Sequence, residues 1–104
     1  MKEARRMNPQ EIIEKLAANR KILRDFEVNA LYLFGSVSRN ENRPDSDVDL
    51  LVEFESDAGI GLFEFAQLRR LLSELLGCKV DLATPDALHR ELRERIMREA
   101  VRAA

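Results

Sequence analysis

The chain has 104 residues, 45% of them hydrophobic and 35% charged, which suits one globular domain over 1–104 and leaves little length for a separate substrate-recognition domain. A formal net charge of −2 argues against a general nucleic-acid binder, and the lone cysteine, Cys78, excludes an internal disulfide or a thiolate metal site. No apolar run reaches membrane-spanning length and the amino terminus lacks the apolar stretch of a signal peptide, so a cytoplasmic protein is expected.

Residues 1–7 are charged and expected to fray. Asn8-Pro9 followed by Glu11 has the form of a helix start, and Ile12, Ile13, Leu16, Leu23 and Phe26 recur at helical spacing, predicting one helix to about residue 25. Residues 28–34 then form a first strand, apolar on both faces at its far end and so placed inside the sheet.

Gly35-Ser36 ends that strand, and a polar loop over 37–46 carries Arg39 and Arg43. A second strand opens with Asp47-Val48-Asp49 and runs to residue 54. Alternation puts Asp47 and Asp49 on one face, with Cα atoms about 6.5 Å apart, while Val48, Leu50, Val52 and Phe54 take the other. Two carboxylates side by side on an apolar strand repel each other and lose hydration, a cost that a bound cation offsets. Hard cations such as Mg²⁺ take oxygen ligands and commonly share them with substrate phosphates. A Gly-Ser turn offers backbone N–H groups and a hydroxyl to such phosphates, and Arg39 or Arg43 can add charge-assisted hydrogen bonds. Glu53 shares the acidic face further along, where solvent or an arginine partner is expected.

Residues 56–61 read as a turn into a helix over 62–76, which Gly77 would close in a left-handed conformation. This helix carries more apolar residues than one core-facing stripe needs, so it is either wedged between two layers or presents a patch to a partner. Residues 79–83 form a third short strand, on which Asp81 alternates away from Val80 and Leu82 and can join the acidic face. Thr84-Pro85 starts the last helix, in which Leu88, Leu92, Ile96 and Ala100 form a ridge for packing among arginines and glutamates. His89 is the sole histidine, with no second one to make a zinc pair. The result is a small α/β domain of the α+β kind, order α-β-β-α-β-α, with a mixed sheet of at least three strands.

The arrangement of Gly35-Ser36, Arg39 and then Asp47-x-Asp49 resembles the active-site motif of the DNA polymerase beta-like nucleotidyltransferase superfamily. More narrowly it is similar to the minimal nucleotidyltransferases (MNT), which in many prokaryotes act as antitoxins to HEPN-domain toxins. The resemblance spans about residues 28–84 and departs at Asn40, where the family usually has glycine; asparagine tolerates the left-handed backbone a tight turn needs. It implies a nucleotidyltransferase fold and ATP as substrate, with Mg²⁺ held by Asp47, Asp49 and, as the third acid of a later strand, Asp81. Gly35, Ser36 and Arg39 would then contact the phosphates. The expected activity is transfer of AMP from ATP to a hydroxyl of a partner protein, here a HEPN toxin, in a homo- or hetero-oligomer or as single chains. Two alternatives stay open: a non-catalytic antitoxin that neutralises by binding, and a small-molecule nucleotidyltransferase of the antibiotic-modifying type.

Overall fold

The computed structural model describes residues 8–35 and 48–104, and within them the first helix begins at the cap that the sequence supplies. Asn8 accepts the Glu11 N–H at 2.9 Å and Pro9 opens α1 (Pro9–Ala18), which buries Ile12 and Leu16. The single helix predicted to residue 25 is two. The Asn19 side-chain amide donates to the Lys15 carbonyl at 2.8 Å while its backbone N–H bonds Leu16 at 3.1 Å, so a side chain takes over from the helical ladder. The chain resumes as α2 (Arg20–Asp25) and leaves through Glu27 at φ 56, a left-handed position that glutamate does not advertise.

Among the described residues four strands make one sheet in the order β3-β2-β1-β4. β1 (Val28–Phe34) lies antiparallel to β2 (Val48–Phe54), and β2 lies parallel to β3 (Val80–Ala83). α3 (Leu62–Leu76) supplies the crossover that parallel neighbours require. It ends at Gly77, φ 69, whose N–H bonds the Ser73 carbonyl at 2.9 Å, as the sequence predicts. β4 (Val101–Arg102) pairs antiparallel with β1. A two-residue strand is too short to show alternation, and the expectation of at least three strands leaves it unnamed.

The core lies between one face of the sheet and the helices. Leu31, Leu33, Val48, Leu50, Val52 and Val80 meet Ile12, Leu16 and Leu23 from the amino-terminal helices and Leu68, Leu72 and Leu76 from α3. The breadth of α3 divides between two uses: Leu68, Leu72, Leu75, Leu76 and Phe65, edge-on to Phe54 at 6.4 Å, serve the core, while Leu62 and Phe63 in the first turn stay exposed.

The carboxy-terminal stretch corrects two expectations. Thr84-Pro85 starts a short 3-10 turn (Pro85–Ala87), then Leu88 and His89 are extended, and α4 (Arg90–Glu99) follows. Nor is the apolar ridge buried: no residue of α4 is, Leu92 is 43% exposed, and Leu88, Ile96 and Ala100 are only partly covered. The ridge is amphipathic in sequence, but the other helices already cover the core. Among the described residues no helix is long and apolar enough to cross a membrane.

Candidate active site

Alternation along β2 decides which side chains can form a site. Val48, Leu50 and Val52 are buried in the helix-covered core, so Asp49 belongs to the opposite face together with Leu51 and Glu53. Leu51 is fully buried there and Asp49 half-buried. Glu53 takes a hydrogen bond of 2.6 Å from the Asn29 amide, where the sequence suggested solvent or an arginine.

Register then assembles the acids. Phe34 of β1, Asp49 of β2 and Asp81 of β3 are direct neighbours across the sheet. Adjacent strands run about 4.8 Å apart, so two carboxylates distant in sequence stand side by side on one face. Asp81 is exposed, and its carboxylate makes no hydrogen bond or ion pair with another described residue. At roughly 5 Å, two ionised carboxylates repel by about 1–3 kcal/mol for effective dielectrics of about 80 to 20, nearer the lower figure where one is exposed.

The strand starts are pinned. The Val80 N–H donates to Ser73 Oγ at 3.2 Å, Ser73 Oγ donates to the Arg69 carbonyl at 3.0 Å, and the Val48 N–H donates to the Lys79 carbonyl at 2.9 Å. Ser73 is a residue that sequence reasoning passes over. Its role joins α3 to β3 across a turn, and no local pattern signals it.

Gly35 follows Phe34 directly and has φ 75. A Cβ built on it would collide with Oδ2 of Asp49 and lie 3.3 Å from Cγ. The structure thus brings together Gly35, Asp49 and Asp81, whereas Ser36, Arg39 and Asp47 lie outside the described residues, as do Asn40 and Arg43. Among the described residues no three of His, Cys, Asp and Glu form a metal-sized group, and His89 is exposed ahead of α4. Two in-register carboxylates, one free of partners among the described residues, are an all-oxygen donor pair that suits a hard divalent cation.

The nucleotidyltransferase domain family matches residues 13–103, nearly the whole described chain. The chain belongs to this family. Among its relatives, the protein adenylyltransferase MntA of Thermococcus cleftensis is 40% identical over 93 residues, 88% of this chain and 92% of the relative. A solved structure described provisionally as a minimal nucleotidyltransferase has a TM-score of 0.78 at 37% identity, covering 91% of this chain and 95% of the other. A chain from the complex of a tri-AMPylated Shewanella oneidensis HEPN toxin with its MNT antitoxin shares the fold, with a TM-score of 0.65 at 22% identity over 92% of this chain and 71% of that one. The resemblance seen around Gly35 and Asp49 therefore extends through the nucleotidyltransferase fold as a whole, including the short β4 within the matched span.

Proposed function

We propose that this nucleotidyltransferase transfers AMP from ATP to a hydroxyl side chain of a partner protein, and that the partner is a HEPN toxin which the transfer neutralises. The observation that carries the reading is the in-register pair Asp49 and Asp81 beside Gly35, in a chain of this family. The protein acceptor is supported by the name of the Thermococcus relative, and the toxin by the fold shared with the Shewanella antitoxin.

In this reading Asp47 and Asp49 would hold Mg²⁺, and Asp81 would add a third carboxylate on the acceptor side. Bound there, Mg²⁺ would neutralise phosphate charge and lower the pKa of the acceptor hydroxyl. Gly35 and Ser36 offer N–H and hydroxyl donors to the terminal phosphates, and Arg39 adds a charge-assisted contact. The acceptor oxygen bonds to the α-phosphorus as the bond to the bridging oxygen breaks. Pyrophosphate leaves, and Asp81 receives the hydroxyl proton.

The test uses the product of the neighbouring gene, which this reading expects to encode a small helical HEPN protein. Incubation with Mg²⁺ and ATP should add whole AMP units to that product by intact-mass measurement. The double variant Asp47→Asn and Asp49→Asn should add none. Neutralisation that persists in the double variant, with no mass ever gained, would instead establish an antitoxin acting by binding alone.

A further inference from the structure

The sequence assigns Gly35 to the phosphates, but the structure places something else against it. Where a side chain on residue 35 would begin, the carboxylate of Asp49 already sits: a Cβ would overlap Oδ2 and lie 3.3 Å from Cγ and 3.5 Å from the Asp49 Cβ. We infer that Gly35 is a positioning residue for Asp49, leaving the space in which that carboxylate lies in the row with Asp81.

Two separate demands meet at this position. The first is conformational, because φ 75 is left-handed and any residue but glycine is strained there, asparagine least. The second is steric and concerns one neighbour. The nearest atoms all belong to the Asp49 side chain and none to backbone. The easiest relief of a Cβ is therefore rotation of the Asp49 carboxylate about χ1, away from the position it holds beside Asp81 on that face. A β-carbon at position 35 would leave most of the fold in place and misplace the site. Asp49 is half-buried between Phe34 and Asp81 in register, so its alternatives are few. Gly35 and Asp49 are adjacent through space because Phe34 pairs with Asp49, which makes the motif glycine and the second motif acid one steric unit.

The inference rests on the proposed role of Asp49 as a metal ligand, and the experiment separates the two. Gly35→Ala and Gly35→Asn are each made in the natural chain and in an Asp49→Ala background, which removes the colliding carboxylate. Melting temperature and the affinity for Mn²⁺ alone, by calorimetry, are measured for all. Asparagine accepts the left-handed backbone yet still carries a Cβ, so it isolates the collision from the strain and serves where the alanine variant does not fold. The expected result is a smaller melting penalty for both substitutions in the Asp49→Ala background. In the natural chain Mn²⁺ affinity should fall by about 10–100-fold, the range for residues that orient metal ligands. Equal melting penalties in both backgrounds, or unchanged Mn²⁺ affinity in Gly35→Asn, would overturn the inference. Should Asp49→Ala itself leave Mn²⁺ affinity unchanged, the metal-ligand reading of Asp49 fails and the positioning role falls with it, even where the melting cycle shows coupling.

Discussion

The sheet end that carries Asp49 and Asp81 is fixed by strand pairing, with Asp49 between β1 and β3 and Asp81 on the edge strand against β2, whereas α4 buries no residue. Around the acids, Val48 and Val80 are buried beneath the strands, and the Val80 N–H is taken up by Ser73. After α4 the chain is tied back chiefly by hydrogen bonds: Leu31 exchanges bonds with Ala103 and Ala104 at 2.7–3.2 Å, and Ala103 is the one residue of that stretch buried in the core. Chemistry at fixed distances needs the first kind of support. A helix that only returns the chain to the sheet edge does without it.

The contrast can be broken most severely at Asp81. Asp81→Asn should lower the single-turnover rate by about 10²–10⁴-fold, the usual contribution of a positioned general base, while ATP binding persists. Because Asp81 is exposed and its carboxylate has no partner among the described residues, no stabilising contact is lost, and relief of its repulsion with Asp49 should leave the melting temperature unchanged or slightly raised. Full turnover in the variant would reduce Asp81 to a surface acid. Next come matched truncations in the two regions. Leu72→Ala, at a fully buried position of α3, should cost about 2–5 kcal/mol in denaturant unfolding. Leu92→Ala, at an exposed position of α4, should stay within about 0.5 kcal/mol. Equal losses would show that α4 contributes to the core after all.

The same contrast explains what could be read from residues. β1, α3, the Asn8 cap and the Gly77 cap follow from alternation, helical spacing and turn chemistry, all of which act within a few residues. Asp49 and Asp81 share a face by the same alternation. Their direct adjacency depends on the register of two strands joined by α3, which no local pattern states. The Asn19 break and the Ser73 bridge are single side-chain hydrogen bonds, invisible to periodicity. The ridge of α4 misleads for the opposite reason: amphipathicity shows that a helix has an apolar side, not that a partner layer remains to receive it.

Ser73 allows a finer test of the pinned region. Ser73→Ala leaves the part-buried Val80 N–H without its acceptor, so about 1–3 kcal/mol should be lost. The loss should be accompanied by faster hydrogen exchange at Val80 and Asp81, since both lie at the start of β3. Exchange unchanged at those amides would mean that pairing with β2 alone holds the strand.

The smallest effect is expected on α4. Arg90 and Glu94 approach to 3.6 Å one helical turn apart, with side chains 84% and 62% exposed. Water screens such a pair, and holding two long side chains together costs rotamer entropy, so a double-mutant cycle with Arg90→Ala and Glu94→Ala should give a coupling of about 0.3–0.5 kcal/mol at most. The arginine also stands at the helix start, where the backbone dipole disfavours positive charge, which lowers the benefit further. Raising the salt to about 1 M shortens the screening length to about 3 Å and should remove the coupling. A coupling above about 1 kcal/mol that survives the salt would require the pair to be shielded from water, and α4 would then have to be covered in solution by something other than the described residues of its own chain.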